Sequence, residues 1–305
     1  MKSTIRIDII IVNWNSGSLA QKAIAPYVGY ASENLNCVVH IVDNGSTDNS
    51  VELFAAAEYN LIANEKNLGF GKACNLAYDQ CKGEYILLLN PDTQSSPEIL
   101  EKLVSFLENN SEYAVVGPKQ IQENNETIRS CGRFPNVVKA WFDVMGLSKI
   151  SPSIFPPAPI MKDWDHQTSQ AVDHVMGSYM LIRKAAIEKT GLMDEDYFVY
   201  MEDLDLSKRL HNAGYKTYFE ANCTVMHIGG GTGAKVKAKR LFYSLSSRRL
   251  YWKKHLGYFS MVVLTLFSFT AEPVLRIIDA FLGKNKTTPA DILKAYSAYW
   301  ISLFK

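Results

Sequence analysis

Tyr85-Ile86-Leu87-Leu88-Leu89-Asn90-Pro91-Asp92 is the stretch on which the fold turns. Its apolar run, closed by Asn-Pro, predicts a short strand inside a sheet covered on both faces. The turn delivers Asp92 to the carboxyl end of that strand, where ligands gather in open α/β sheets. A carboxylate there suits a divalent cation, Mg²⁺ or Mn²⁺, and the diphosphate that such a cation accompanies. By themselves these residues are equally a turn with a solvated Asp92.

Outward from this strand, strand-like and helix-like segments alternate. Strands are predicted at Ile5–Asn13, Cys37–Val42, Tyr59–Ala63 and Ala114–Val116, and helices at Leu19–Ala31, from about Thr47, at Gly71–Cys81 and at Pro97–Glu108. This order predicts an α/β fold, a mostly parallel sheet flanked by helices. Pro135, Pro152, Pro156, Pro157 and Pro159 predict an irregular region, read as a loop over the site. Order resumes at Val172–Ile182, then a helix over Asp203–Ala213 stopped by Gly214, and a strand over Tyr215–Phe219.

With 305 residues and 47% apolar content, the chain can bury a substantial core. Five cysteines, Cys37, Cys74, Cys81, Cys131 and Cys223, show no CxxC spacing. Neither a disulfide framework nor a structural zinc site is indicated, and a reducing cytoplasm is the simplest setting. The apolar run Ile7–Val12 is too short for a signal peptide and reads as the first strand.

The net charge of +1 hides a local asymmetry. No Asp or Glu occurs from Ala221 to Ala271, where Lys235, Lys237, Lys239, Arg240, Arg248, Arg249, Lys253 and Lys254 all fall. Such a stretch is a solvated helix face, or it meets phosphates or an anionic membrane. Within it Leu256–Ala271 is uncharged, and Glu272-Pro273 separates it from a second apolar stretch, Val274–Leu282. A membrane span needs about 20 apolar residues, so a helix lying in the leaflet is the expectation, with Trp252, Tyr258 and Trp300 for the interface. A buried helix or a homodimer contact is the alternative use. The expected organisation is a catalytic domain over 1–234 and a basic, apolar helical region over 235–305 at the membrane surface, with no nucleic-acid partner.

Three further stretches carry chemistry. Val42-Asp43-Asn44-Gly45-Ser46-Thr47-Asp48 places a carboxylate at a strand tip, where it can accept from a base imide N–H, although a turn with a helix cap explains it equally. Asn67-Leu68-Gly69-Phe70-Gly71-Lys72 is a glycine-bearing loop before a helix, where backbone N–H groups and Lys72 can hold a phosphate. Asp194, Glu195, Asp196, Glu202 and Asp203 exceed what capping of one helix requires. A carboxylate at a helix start in a cleft can take a proton from an attacking hydroxyl.

The ordered set VNWNS, VDNGSTD, NLGFGKACN, LLLNPDT, GSYMLIRK, DEDYFVYMEDLDLSKR and VMHIGGGT resembles glycosyltransferase family 2, especially its bacterial rhamnosyltransferase-like members, from about Ile7 to about His255. The resemblance implies a GT-A fold and an inverting single displacement from a nucleoside-diphosphate sugar. It implies Asp203 as the base, with Glu202 orienting the acceptor or Asp203. Asp92 and His227 would hold the metal or diphosphate. Asp43 would contact the donor base, with Asn13, Asn67, Lys72 and Asn90 near the nucleotide sugar. Arg248 and Arg249 would meet a phosphate of the donor or of a lipid-linked acceptor.

Two departures matter. Asn90 stands where many relatives carry a first Asp, which weakens the case for coordination by two carboxylates, and no QxxRW motif occurs, which favours transfer of one sugar over processive synthesis. The implied activity moves L-rhamnose from dTDP-L-rhamnose onto a saccharide or polyprenyl-diphosphate-linked saccharide in surface-polysaccharide assembly, at the cytoplasmic face of the inner membrane. A UDP- or GDP-linked donor is the near alternative. A non-catalytic nucleotide-sugar-binding module is the distant one, against which the presence of both Asp92 and Asp203 argues. A nucleotidyltransferase would want a glycine- and arginine-rich loop where Asn13-Trp14-Asn15-Ser16 stands.

Overall fold

The computed structural model describes residues 4–55, 59–229, 237–283 and 287–304. Gly230, Gly231, Lys235 and the expected boundary at 234/235 lie outside them. The strands are β1 (Ile5–Asn13), β2 (Leu35–Asn44), β3 (Asn60–Asn64), β4 (Tyr85–Leu89), β5 (Thr93–Gln94), β6 (Tyr113–Ile121), β7 (Cys131–Gly132), β8 (Gln170–Val172), β9 (His174–Val175), β10 (Tyr179–Arg183) and β11 (Lys216–His227). The helices are α1 (Gly17–Ile24), α2 (Ser50–Phe54), α3 (Phe70–Tyr78), α4 (Pro97–Asn109), α5 (Val137–Val144), α6 (Leu147–Ile150), α7 (Lys184–Thr190), α8 (Glu202–Asn212), α9 (Lys237–His255), α10 (Tyr258–Phe281) and α11 (Pro289–Ser302).

The chain forms two compact units. The first comprises Met1–Gly132, Asp165–Phe198 and Glu202–Thr232, and the second Arg133–Trp164, Val199–Met201 and Gly233–Lys305. The division therefore differs from two contiguous domains, because Arg133–Trp164 belongs with the C-terminal region. The prolines explain why that segment was read as irregular: Pro135 and Pro152 bracket a proline-free stretch that folds as α5 and α6. Ala140 and Val144 of α5 are buried, and the Trp141 ring meets that of Phe267 edge-on.

In the first unit the sheet runs β3-β2-β1-β4-β10-β6-β11-β5. The pairs β1–β2, β1–β4, β2–β3 and β6–β11 are parallel, and β10 enters antiparallel between β4 and β6. Every residue of β4 is buried, as a strand covered on both faces requires. Pro97 opens α4, whose Leu100, Leu103, Val104 and Leu107 face the core at helical spacing. β11 is longer than expected and runs on to His227, where its end pairs antiparallel with β5.

The second unit is helical. Leu245 of α9 packs with Ile292, Tyr296 and Tyr299 of α11, and Phe269 of α10 stacks on Tyr299 with ring centroids 5.1 Å apart. Glu272-Pro273 does not interrupt α10, which continues through Pro273 for 24 residues. Glu272 is buried rather than exposed as a charged break, since Arg248 and Arg276 donate to its carboxylate. By length and composition alone α10 is sufficient to cross a membrane.

Candidate active site

The loops after β1, β2 and β4 and the end of β11 assemble at the carboxyl edge of the first unit's sheet. After β2, the Asp43 carboxylate is fully buried: Oδ1 accepts from the Ser46 N–H at 2.9 Å, and Oδ2 accepts from the Ser46 hydroxyl at 2.6 Å and Asn13 Nδ2 at 2.8 Å. These bonds latch the turn, as a carboxylate at the start of an Asx turn does. Asn13 Oδ1 is left buried with no hydrogen-bond partner among the described residues. Gly45 has φ +75°, and a Cβ there would lie 2.5 Å from the Lys66 carbonyl carbon, so the two loops meet only because this residue is glycine.

Asn67 braces the next loop by accepting from Gly69 N–H at 2.9 Å and Asn44 Nδ2 at 3.1 Å. Lys72 is half exposed, with Nζ 3.7 Å from Glu195 Oε2. The acidic run 194–196 is thus docked beside α3, where Asn75 exchanges two 3.0 Å hydrogen bonds with the Met193 backbone.

Asp92 and His227 meet because β5 pairs with the end of β11, setting Thr93 opposite His227. His227 Nε2 lies 3.2 Å from Asp92 Oδ1, and both side chains are partly open to solvent. His227 Nδ1 bonds Gln120 Oε1 at 2.9 Å, and the same oxygen accepts from the Ser178 hydroxyl at 2.9 Å. The Ser178 carbonyl accepts from Asn90 N–H, and the adjoining Gly177 N–H donates to Asp203 Oδ2, both at 2.9 Å. Asp92 and Asp203, distant in sequence, are therefore tied by one run of hydrogen-bonded groups through His227, Gln120 and the Gly177-Ser178 dipeptide.

Asp203 lies in the first turn of α8, and its Oδ1 accepts from Leu204 N–H at 2.8 Å. Tyr200 and Met201, just before that helix, hold left-handed φ of +71° and +69°, the kind of backbone strain that clusters at functional sites. His174 Nε2 lies 3.7 Å from Asp203 Oδ2, while Nδ1 bonds the Ser207 hydroxyl at 2.9 Å. Burial pulls the His174 pKa down, against the opposing pull of Asp203. Glu202 points inward and is only 5% exposed, with Oε2 unpartnered among the described residues. Burial, and then the Asp203 charge, pushes its carboxyl well above the ordinary carboxylate range.

Arg248 and Arg249, expected at a phosphate, belong to the second unit. The Arg248 guanidinium is taken up by Glu272, with Nη1 3.1 Å from its Oε1, by Ser268 Oγ at 3.1 Å, and by the Trp252 ring beneath it. Sequence reading missed Gln120 and His174, and quoted Gly177 and Ser178 within GSYMLIRK without giving them a role. The available signal was an amide inside the apolar strand that becomes β6, and a histidine preceding Val175 in a region of regular order.

Asp92 and His227 fit a divalent cation: a carboxylate oxygen and an imidazole nitrogen face each other, and the imidazole's other nitrogen is already engaged. A second cluster, Asp8, His40 and Cys81, has ligand atoms within 4.8 Å of one another, but it lies toward the amino end of the strands. There Asp8 is saturated by His40 Nε2 and the Arg6 guanidinium on one oxygen and by Lys82 and Gly83 N–H groups on the other. Burial raises the Asp8 pKa, but these bonds outweigh it and hold it at about 2, while burial pushes the Cys81 thiol up to about 12. That cluster braces strands and offers no free ligand.

The glycosyl transferase family 2 model matches residues 8–191, more than half of the chain. The chain belongs to glycosyltransferase family 2. It is an enzyme of that family with the GT-A fold. It is 25% identical over 238 residues to the N-acetylglucosaminyl-diphospho-decaprenol L-rhamnosyltransferase of Mycobacterium tuberculosis, covering 72% of this chain and 75% of that one. It is 27% identical over 188 residues to rhamnosyltransferase WbbL of Escherichia coli K12, covering 59% and 68%. Among solved structures, mannosyltransferase PcManGT from Pyrobaculum calidifontis, in complex with GDP-Man and Mn²⁺, superposes with TM-score 0.57 at 14% identity, covering 98% of this chain and 88% of that one. TarS of Staphylococcus aureus, residues 1–349 with UDP-GlcNAc, gives 0.54 at 13% identity, covering 97% and 80%.

Proposed function

We propose that this transferase moves a single sugar, L-rhamnose from dTDP-L-rhamnose, with inversion onto a saccharide or polyprenyl-diphosphate-linked saccharide in bacterial surface-polysaccharide assembly. The observation that carries the catalytic reading is the hydrogen-bonded run joining Asp92–His227 to Asp203. The rhamnosyl donor is supported by the names of the mycobacterial and Escherichia coli relatives, and the lipid-linked acceptor by that of the mycobacterial one.

In this reading Asp203 accepts the proton of the acceptor hydroxyl, whose oxygen attacks the anomeric carbon opposite the diphosphate. The carbon–oxygen bond to the diphosphate breaks, and the configuration inverts. A divalent cation bound by Asp92 and His227 would offset the charge on the departing diphosphate. Asn13 Oδ1, the unpartnered buried acceptor beside Asp43, suits the imide N–H of a pyrimidine base. Lys72 at the start of α3 suits a phosphate once it leaves Glu195. Glu202, whose carboxyl burial and the Asp203 charge push toward the neutral form, disfavours a second negative charge beside the base.

The second unit supports attachment to the inner leaflet. Phe259, Leu266 and Phe281 are exposed along α10, with Trp300 exposed near the end of α11 and Phe304 just beyond it. Lys253 and Lys254 close α9 just before α10. Exposed aromatic and aliphatic groups beside lysines are the composition of a helix that lies in a headgroup layer.

The test is transfer from dTDP-L-rhamnose with Mn²⁺ to a polyprenyl-diphosphate-linked N-acetylglucosamine acceptor, with UDP- and GDP-linked sugars as competitors. Asp203→Asn is expected to lower turnover by about 10²- to 10⁴-fold with donor affinity kept. Retained turnover would remove Asp203 as base, and turnover only with another nucleotide sugar would replace the donor.

A further inference from the structure

We propose that Gln120 is the positioning residue that joins the two halves of the site. Its side-chain carbonyl fixes His227 as the Nδ1–H tautomer so that Nε2 is presented beside Asp92. Through Ser178 it also holds the dipeptide whose N–H supports Asp203. The proposal rests on the reading that Asp92 and His227 take a divalent cation.

Gln120 is 1% exposed in β6, where the neighbouring Val115 and Val116 are wholly buried. A leucine would fill that volume without burying an amide, and a buried amide is costly unless it is hydrogen-bonded. Its Oε1 receives two bonds of 2.9 Å, from the Ser178 hydroxyl and from His227 Nδ1. A carbonyl oxygen can only accept, so this bond places a hydrogen on Nδ1 of His227, and in the neutral imidazole Nε2 then keeps its lone pair. That lone pair lies 3.2 Å from the Asp92 carboxylate. Two acceptors at that separation repel each other, and a shared cation converts the repulsion into attraction. Histidines that bind metals almost always donate their other N–H to a fixed acceptor, the position Gln120 occupies.

The other arm explains why the same amide reaches the base. Antiparallel β10 lies between β4 and β6, so the two residues that lead into it, Gly177 and Ser178, stand between Gln120 and Asn90. Gly177 has little room for a side chain, because a Cβ would lie 3.2 Å from the Asp203 Cβ. One dipeptide thus bonds Gln120 through its serine hydroxyl, Asn90 through its serine carbonyl and Asp203 through its glycine N–H.

The experiment uses the full chain with ¹⁵N-labelled histidine, whose long-range imidazole correlations report the tautomer, and a titration with Mn²⁺ alone followed by electron paramagnetic resonance. In the unmodified protein His227 is expected as the Nδ1–H tautomer. Gln120→Leu is expected to lose that preference and weaken Mn²⁺ binding by about 10- to 100-fold, while Gln120→Glu, which retains an acceptor, restores the tautomer. In a His227→Ala background, Gln120→Leu should cost no further affinity. An Nε2–H tautomer in the unmodified protein, unchanged Mn²⁺ affinity in folded Gln120→Leu, or an undiminished loss in the His227→Ala background would overturn the proposal. Absence of Mn²⁺ binding with the Nδ1–H tautomer present would instead overturn the metal reading and leave the role of Gln120 in fixing the imidazole standing.

Discussion

Two glutamates, Glu202 in the first unit and Glu272 in the second, are each 5% exposed, yet their surroundings drive them in opposite directions. At Glu272 burial favours the neutral acid, but Arg248 and then Arg276 outweigh it and hold the pKa at about 2. At Glu202 burial acts with the Asp203 charge, and the carboxyl is pushed well above its ordinary value. Burial alone therefore does not distinguish a structural acid from one in a site. The difference lies in whether the fold supplies compensating charge, which the arginines around Glu272 do and the surroundings of Glu202 do not.

The sharpest attack on this contrast is Arg248→Ala. Removing one partner from a buried ion pair typically costs about 3–5 kcal/mol, which denaturant unfolding would register, while donor affinity should be unchanged. Preserved stability with lost donor binding would restore Arg248 to the phosphate role expected from sequence and dissolve the comparison.

A smaller effect follows from pH. Because the Glu272 pKa is depressed from 4.5 to about 2, its contribution is present above pH 4.5 and lost as pH falls toward 2, roughly 3 kcal/mol in all. Glu272→Gln should therefore be less stable than the parent at neutral pH and approach it in acid. Equal differences at pH 7 and pH 2.5 would count against an ionised Glu272.

The smallest expected effect has the opposite sign. Glu202 has a raised pKa, so its contribution is complete below pH 4.5 and diminishes as pH rises toward its folded value. Glu202→Gln should flatten the fall in stability above pH 4.5, so that the variant gains on the parent toward alkaline pH. A steeper fall in the variant would mean that Glu202 is ionised in the folded protein.

Much of the first unit was legible because its strands are short, apolar and punctuated. Ile5–Asn13 and Tyr85–Leu89 appear with the bounds that their residues predict. The strand predicted at Ala114–Val116 is longer, because pairing with β11 carries β6 through Pro118, Lys119 and Gln120 to Ile121. The Leu256–Leu282 region was read as two pieces because Glu272-Pro273 looks like a stop. The arginines on α9 and α10 neutralise the charge, and the helix passes through.

Composition, spacing and motif order determined the α/β class, the family and the two acidic tips, since all are written in local patterns of apolar and turn-forming residues. Tertiary structure alone decided that Arg248 serves Glu272 and that Gln120 connects His227 to the support of Asp203. Both depend on which strand or helix lies beside which. A hydrogen-bond partner brought in by strand pairing or helix packing from far along the chain leaves no periodic trace near the residue it serves.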